Sequence, residues 1–252
     1  MKHEIIKAVK LCKTYYTGAE QFHAIQNVDL EIYQSDFTVI MGDSGSGKST
    51  LLYLLSGLDN ITVGEVYFKG KRIDQYSDSK IAKFRANSIG YIYQGIHLVP
   101  DLTIFENITF PGYIAGHKKK EVEKRALELM KDMGIEKLAS RLPSQVSGGQ
   151  QQRAAIARAM INRPEVIFAD EPTGSLNHEF GLAILDLFTQ LNSKGQSVVM
   201  VTHDMKAACR ADRIIFVKDG KVDGILQLGK YAAEDKKARE YMIFSFLARK
   251  EE

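Results

Sequence analysis

The chain has 252 residues, of which 44% are hydrophobic and 26% are charged, as expected for a globular protein with a sizeable core. Its net charge of +3 is too small for the basic field that nucleic-acid binding needs, so no nucleic-acid partner is expected. Cys12 and Cys209 lie far apart, without metal-ligand spacing, which is typical of a reduced, cytosolic chain. No apolar run approaches the ~20 residues of a spanning helix, so any membrane role is expected to come through a partner.

The first hundred residues contain a buried strand, a helix and four further β-like segments. "FTVIM" (37–41) is continuously apolar, and "KSTLLYLLSGL" (48–58) has helical spacing. The four further segments are predicted to form a small antiparallel layer beside a parallel sheet. They are "IIKAVKL" (5–11), "VDLEI" (28–32), "GEVYF" (64–68) and "IGYIY" (89–93).

The second part of the chain begins with a helical region from about Gln94 to Arg163, in which 118–134 is the clearest amphipathic segment. Three apolar strands follow, at 166–170, 197–203 and 213–220. A helix is predicted at 180–195, ending at the C-cap signal Gly195. Residues 233–252 are amphipathic around Tyr241, Phe244 and Leu247, a pattern that suits packing on the chain's own domain or on a partner.

This order of elements predicts an α/β fold with a mostly parallel sheet, a small antiparallel β layer and an inserted helical subdomain. We expect a nucleotide-binding core at 1–93 and 164–228. The helical subdomain is expected at 94–163, and a helical tail at 229–252.

"GDSGSGKST" (42–50), between the first apolar strand and its helix, matches the phosphate-binding loop pattern. Its glycines let successive backbone N–H groups turn towards one anion, and the following helix directs its positive end at the same point. Lys48 is expected to reach the β- and γ-phosphates of a nucleoside triphosphate, and Ser49 to offer its hydroxyl to Mg²⁺. The predicted phosphate-loop residues are Gly42, Asp43, Ser44, Gly45, Ser46, Gly47, Lys48, Ser49 and Thr50.

The predicted strand "VIFAD" (166–170) ends in one acid, Asp170, and the next residue, Glu171, is a second acid. Asp170 is expected to hold Mg²⁺, and Glu171 to polarise the attacking water as general base. A strand that ends in surface acids is the alternative for this pattern alone.

"QVSGGQQQR" (145–153) opens a further helix with Ser147 and two glycines. A serine hydroxyl and free backbone N–H groups at a helix N-terminus form a second anion site. Because the phosphate loop already has its ligand, this site is useful if it completes the nucleotide pocket of a second copy of the chain.

The stretch "VSGGQ" resembles the signature of ATP-binding cassette (ABC) ATPases, and other motifs of that family follow in order over about residues 4–225. Gly42–Thr50 resembles Walker A, "VIFADEPTG" resembles Walker B, and "GSLN" (174–177) resembles the D-loop. Gln94 resembles the Q-loop glutamine, and His203 the switch histidine. The resemblance implies an ABC ATPase fold and ATP hydrolysis with Mg²⁺.

The resemblance also implies roles for individual residues. Two copies would close head to tail on ATP, with the signature of one copy against the γ-phosphate held by the other. Gln94 would touch Mg²⁺, and His203 would contact the γ-phosphate. The signature residues that bind nucleotide would be Ser147, Gly148, Gly149 and Gln150.

Two positions, Tyr15 and Asn177, match the family pattern less completely. Tyr15 fits the aromatic position that stacks on adenine, although Tyr16 is an alternative. Asn177 stands where the D-loop of the family usually has aspartate. Asparagine keeps an acceptor oxygen but loses the charge, so we expect hydrolysis to survive and communication between the two ATP sites to change. Asn177→Asp is the substitution that tests this hypothesis.

Within the family, the chain resembles the lipoprotein-release, macrolide-export and antimicrobial-peptide-resistance ATPases, together with the cell-division cassette. The segments concerned are 41–59, "LVPDLTIFENI" (98–108) and "ADEPTGSLN" (169–177). This resemblance implies a peripheral subunit on the cytoplasmic face of the membrane, coupled to a separate permease-type membrane subunit. Residues 95–107 are expected to line the groove for that partner, with a piece of helical-subdomain core as the alternative.

Two other functions are compatible with the same motifs. One is a cell-division or cell-wall regulator, in which ATP changes the shape of a membrane partner and nothing is transported. The other is a cassette ATPase with no membrane partner. A partner bound through residues 95–107 distinguishes the first two functions from the third.

Overall fold

The computed structural model describes residues 3–18 and 20–251. These residues form two compact units. One unit holds the chain up to Ser77 and from Thr189 onward, and the other holds Asp78–Phe188. The division into core, helical subdomain and tail stays a prediction, and Glu252 of that tail lies outside the described residues. Across the described residues, no helix is long and apolar enough to cross a membrane.

The strands and helices are numbered in chain order. The strands are β1 (Glu4–Thr17), β2 (Glu20–Tyr33), β3 (Phe37–Met41), β4 (Val63–Phe68), β5 (Lys71–Arg72), β6 (Ile89–Ile92), β7 (Val166–Asp170), β8 (Ser197–Val201), β9 (Arg213–Lys218) and β10 (Lys221–Gln227). The α-helices are α1 (Lys48–Ser56), α2 (Asp78–Ser88), α3 (Ile104–Ile114), α4 (Lys119–Asp132), α5 (Gly148–Met160), α6 (His178–Ser193), α7 (Met205–Ala208) and α8 (Lys236–Glu251).

The antiparallel sheet of the first unit has the strand order β2-β1-β4-β5. Strands β1 and β2 extend well beyond the two short segments predicted from the sequence. Register shifts interrupt their pairing, and Lys10 and Asn27 have left-handed backbone conformations, with φ of 47° and 51°. Such bulges accommodate the breaks in alternation that made the strands look short in the sequence.

The parallel part of the first unit is built around β3, which pairs in parallel with β8 on one side and β9 on the other. Strand β10 adds to β9 in antiparallel orientation. Every residue of β3 and β8 is buried, which explains their continuously apolar sequence. Because parallel strands end at the same edge, the segments that follow β3 and β8 emerge side by side.

In the second unit, β6 pairs in parallel with β7, from Ile89 opposite Val166 to Ile92 opposite Ala169. The prediction that 89–93 belongs to the antiparallel layer is therefore wrong. Gly90 permits the observed packing, because a Cβ there would lie 2.7 Å from the carbonyl oxygen of Ala159 on α5. The alternation of the segment marked it as a strand but could not identify its partner.

The helices of the second unit pack mainly through α5, which contacts α3, α4 and β6. Helix α4 confirms the amphipathic segment predicted at 118–134. Its buried side is apolar, formed by Val122, Ala126, Leu129 and Met130.

The C-terminal helix α8 packs on its own unit, but through a different face from the one the sequence suggested. Tyr241 and Phe244 are exposed. The buried side is formed by Ile243 and by Arg239, whose guanidinium donates hydrogen bonds to the carbonyls of Ala211 and Gly229 at 2.9 Å each. A buried cation that satisfies backbone carbonyls anchors this helix, and an apolar periodicity cannot reveal such a contact.

Candidate nucleotide site

The phosphate loop follows β3 and leads into α1, and two of its glycines are required by their surroundings. Gly42 has a φ of 149°, and a Cβ there would lie 2.0 Å from the carbonyl oxygen of Val217. Gly47 has a φ of 98°, and its Cβ would lie 2.4 Å from the carbonyl oxygen of Ala24. Only glycine fits backbone packed this closely in these conformations.

Polar groups of the loop suit an anion. The hydroxyl of Ser46 is buried and has no hydrogen-bond partner among the described residues, an arrangement that costs free energy unless a ligand or water completes it. Gly47 is the N-cap of α1 and supplies no side chain to the first N–H groups of that helix. Lys48 folds back to donate from Nζ to the carbonyl oxygen of Asp43 at 2.5 Å. The loop therefore fits a phosphate group.

Tyr15 is fixed beside this loop, whereas Tyr16 is not. The Tyr15 hydroxyl donates to Oδ2 of Asp59 at 2.8 Å, and Lys13 donates from Nζ to Oδ1 of the same carboxylate at 2.8 Å. The Lys13 ammonium also lies 4.7 Å from the centroid of the Tyr15 ring. Tyr16 is 66% exposed. Asp59 was missed by the sequence analysis, because 44 residues separate it from Tyr15 and no motif marks it.

The environment shifts the pKa of both partners in this contact. Burial raises the pKa of the Tyr15 phenol, the hydrogen bond to Asp59 raises it further, and an interaction with the Thr50 side chain opposes the shift. Burial alone would raise the pKa of Asp59, but the hydrogen bonds from Lys13 and Tyr15 hold that pKa below its ordinary value. Asp59 therefore remains a carboxylate at neutral pH.

Asp59 is expected to make stability depend on pH in the acid range. Because its pKa is lowered by folding, its contribution is present above the unfolded pKa of about 4 and is lost as pH falls through the folded value. Asp59→Asn should lower the melting temperature at pH 7, and the difference from the parent chain should shrink as the pH drops below about 4. The exposed Asp101 provides the control Asp101→Asn. A gap between Asp59→Asn and the parent that stays constant down to pH 2.5, well below about 4, would contradict this account.

His203 follows β8, so it lies at the same sheet edge as the phosphate loop that follows β3. The next residue, Asp204, caps α7 by accepting from the backbone N–H of Lys206 at 2.8 Å. The cap fixes the backbone beside His203, whose side chain is exposed. In the first unit, the fold thus brings His203 and the phosphate loop to one edge.

The second unit brings Gln94 and the two acids to one edge of its strand pair, because Gln94 follows β6 and Asp170 ends β7. Asp170 is buried, and Glu171 has a left-handed φ of 44°. The backbone N–H of Gly174 donates to the carbonyl oxygen of Glu171 at 3.0 Å. Non-glycine residues in this conformation carry strain and concentrate at functional sites, which supports the role predicted for Glu171.

The signature residues form the N-terminal end of α5. Ser147 is the N-cap, and its hydroxyl accepts from the backbone N–H of Gln150 at 3.4 Å. The side chain of Gln150 accepts in return from the N–H of Ser147 at 2.9 Å. A Cβ on Gly149 would lie 3.1 Å from the ring of Phe180, so glycine permits the close packing of this helix end. Ser147 itself is exposed.

Asn177 accepts from the backbone N–H of Phe180 at 3.0 Å through Oδ1. It therefore acts as an N-terminal cap of α6. Aspartate can accept the same bond, so Asn177→Asp changes the charge and not the local hydrogen bonding. The predicted effect on communication between sites stays a prediction.

Comparison with known proteins gives the family. A family model described as ABC transporter matches residues 25–174, more than half of the chain. The chain belongs to the ABC transporter family. It is 41% identical to the lipoprotein-releasing system ATP-binding protein LolD of Wigglesworthia glossinidia brevipalpis over 219 residues, covering 86% of this chain and 96% of that protein.

Solved structures agree with this assignment. The dimeric structure of the Methanocaldococcus jannaschii cassette MJ0796, in a post-hydrolysis state with ADP and Pi, has a TM-score of 0.83 and 41% identity. The match covers 90% of this chain and 100% of the MJ0796 chain. The cbiO1 protein of Clostridium perfringens, part of the cbiONQ transporter complex, has a TM-score of 0.79 and 28% identity, with 90% of this chain and 89% of that one covered. The predicted ABC ATPase fold is confirmed, and the chain is an ABC ATPase.

Proposed function

We propose that this ATPase drives a separate membrane subunit of the lipoprotein-release type, and that two copies close on ATP during each cycle. The observation that carries the proposal is a set of exposed apolar side chains on the loop after Gln94 and on α3, two segments that Asn107 joins by hydrogen bonds. The similarity to LolD over nearly its whole length supports the choice of complex.

The residues assigned to nucleotide have chemically distinct roles in this proposal. Lys48 offsets negative charge on the phosphates, and Glu171 accepts the proton of the attacking water. His203 donates a hydrogen bond to the γ-phosphate. Ser49 would offer Mg²⁺ a hydroxyl oxygen, and Gln94 and Asp170 would offer amide and carboxylate oxygens, which are hard donors of the type that Mg²⁺ prefers. Bound Mg²⁺ would neutralise charge on the phosphates.

A second copy is proposed to complete each ATP site. Ser147 and the two glycines after it lie at the exposed N-terminal end of a 13-residue helix. Such an end favours an anion through its N–H groups and its dipole. The dimer of the related cassette supports the pairing of two copies of this chain.

The surface after Gln94 is held rigid by Asn107. Its Oδ1 accepts from the backbone N–H of Val99 at 2.7 Å, and its Nδ2 donates to the carbonyl oxygens of Val99, Leu102 and Thr103 at 3.1, 2.9 and 3.0 Å. Thr103 and Glu106 then form a capping box at the start of α3. A loop fixed by one buried amide pays little ordering entropy when it binds a partner.

Apolar side chains extend this surface along α3. Phe110, Tyr113 and Ile114 are 50%, 38% and 67% exposed, and their spacing sets them on one face of the helix. Val99 is 43% exposed on the preceding loop. An exposed apolar patch on a rigid element is a mark of an interaction site. We propose that a cytoplasmic amphipathic segment of the membrane subunit covers it.

Capture of the ATP-bound complex tests this proposal. Glu171→Gln is introduced to retain ATP, the complex is isolated from detergent-solubilised membranes of the host, and bound proteins are identified by mass spectrometry. We expect a membrane protein with few spanning helices and a large outer domain. Adding Ile114→Ser should remove it, whereas Leu127→Ser, which alters another exposed apolar residue, on α4, should not.

The other outcomes of this capture discriminate between functions. A partner whose outer domain recruits wall hydrolases would indicate a cell-wall regulator. A partner with many spanning helices would move the protein to another transporter branch. Recovery of the dimer alone, under conditions that preserve a known complex, would contradict the partner surface.

Tyr15 is proposed to stack on adenine, because the contact with Asp59 holds its ring, whereas Tyr16 is 66% exposed. Tyr15→Ala should weaken ATP binding by about tenfold, the effect of losing one base–aromatic contact. Tyr16→Ala is the matched control and should leave the dissociation constant unchanged. An equal loss in both variants, measured by titration calorimetry, would argue against Tyr15 as the stacking ring.

A further inference from the structure

The guanidinium of Arg158 on α5 joins the signature helix to the turn that follows Gln94. It donates from Nη1 to the carbonyl oxygen of His97 at 2.6 Å and from Nη2 to that of Ile96 at 3.1 Å. Among the described residues no carboxylate pairs with it, and burial lowers its pKa. A half-buried cation whose hydrogen bonds go to two carbonyls of one turn depends on that turn keeping its shape.

The turn itself is tightly constrained. His97 has a left-handed φ of 46°, and its ring forms a T-shaped pair with the Tyr93 ring at 5.7 Å between centroids. A Cβ on Gly95 would lie 2.5 Å from Nε2 of His97. The imidazole of His97 therefore lies against the residues on both sides of Gln94. Arg158 holds the carbonyl groups at the end of the same turn.

The same helix bears the signature motif at its other end. Ser147 and Arg158 are eleven positions apart (158 − 147), or about 16 Å along a helix axis. Between them Ala154, Ala155, Ile156 and Ala157 are at most 1% exposed. A helix whose middle residues are packed this closely moves as a rigid body, so a displacement at Ser147 reaches Arg158.

We infer that Arg158 is a positioning residue that transmits the ATP-dependent state of the signature motif to the docking loop, residues 95–103. The inference rests on the proposed function, since it requires ATP binding and a partner surface after Gln94. In the opposite direction, a partner that moves the docking loop would displace the signature end of α5 through the same two hydrogen bonds.

Arg153 provides a matched control on the same helix. It donates from Nη1 to the carbonyl oxygen of Met133 at 2.9 Å, which anchors α5 beside the end of α4 and not to the docking loop. Both arginines thus bond to backbone carbonyls from α5. They differ in the segment that they hold.

Hydrogen exchange of the full-length chain, read by mass spectrometry with and without Mg-ATP, tests the inference. All variants are made in the Glu171→Gln background. In that parent we expect ATP to slow exchange at 42–50, at 147–150 and by about five-fold or more at 95–103, the lower end of usual coupling strengths. Arg158→Met should abolish the slowing at 95–103 while retaining it at 42–50, and Arg153→Met should retain both.

Arg158→Lys keeps the charge but lacks the planar fork that reaches two carbonyls, so it should restore only part of the effect. If Arg158→Met does not fold, hydrogen exchange at 95–103 in Arg158→Lys serves as the test instead. Full slowing at 95–103 in both Arg158 variants would overturn the inference, as would an equal loss in Arg153→Met or no slowing there in the parent. No slowing at 42–50 in the parent would overturn the proposed ATP site itself, and the inference with it.

Discussion

Glu171→Gln is expected to lower the rate of ATP hydrolysis by about 10²- to 10⁴-fold, the usual contribution of a general base. Glutamine has the same length as glutamate but cannot accept the proton, and it can occupy the same left-handed backbone conformation, with φ near 44°. ATP binding should persist, because the phosphate loop is unchanged. Phosphate release at saturating ATP measures the first effect, and equilibrium titration the second.

The exposed Glu179, in the first turn of α6, supplies the matched control. Glu179→Gln removes one carboxylate from the same unit and should hydrolyse ATP at the parent rate. If Glu171→Gln retains more than about a tenth of the parent rate, a loss of under 1.4 kcal/mol of transition-state stabilisation, another group must be the base.

Gly42→Ala is expected to have the largest effect on folding. A methyl group there would lie 2.0 Å from the carbonyl oxygen of Val217 on β9, a backbone atom that cannot move without disturbing the central strands. The φ of 149° adds strain for any residue with a Cβ. We expect a loss of folding stability of about 4 kcal/mol or more, the range of severe single substitutions, and loss of ATP binding in any protein that folds.

Gly70→Ala separates the steric clash from the conformational strain. Gly70 has a φ of 72°, and a Cβ there meets nothing within 4 Å. This variant should lose only about 1–2 kcal/mol, the cost of left-handed backbone, and should bind ATP normally. Chemical denaturation measures both variants. Similar losses in the two would show that strain, and not the contact with Val217, makes Gly42 necessary.

The local motifs of this chain could be predicted because each depends on neighbours in sequence. The strands at 37–41 and 166–170 are bounded as predicted, since continuous burial requires continuous apolar residues. The phosphate loop and the cap at Ser147 were recognisable for the same reason: glycines that allow positive φ and a hydroxyl that caps a helix are local features of the sequence. The close approach of Val217 to Gly42 and of Ala24 to Gly47 is not local and appears only in the structure.

Contacts between distant segments could not be predicted. Nothing in "IGYIY" indicates that β6 pairs with β7 and not with the antiparallel sheet, because alternation records a buried face and not a partner. Asp59 and Tyr15 meet only after β1 and the end of α1 are brought together. The buried side of α8 contains Arg239, a residue type that usually marks an exposed face.

The amino-acid sequence by itself determined the family, the nucleotide chemistry and the residues expected to perform it, because ATP recognition uses short loops whose geometry is local. Tertiary structure decided how those loops are supported and connected. Arg158 reaches Ile96 and His97 across more than sixty positions of sequence, and Asn107 holds the loop before it through four hydrogen bonds. Such contacts depend on the folded path of the backbone, because the carbonyl groups that accept them are the same for every residue type.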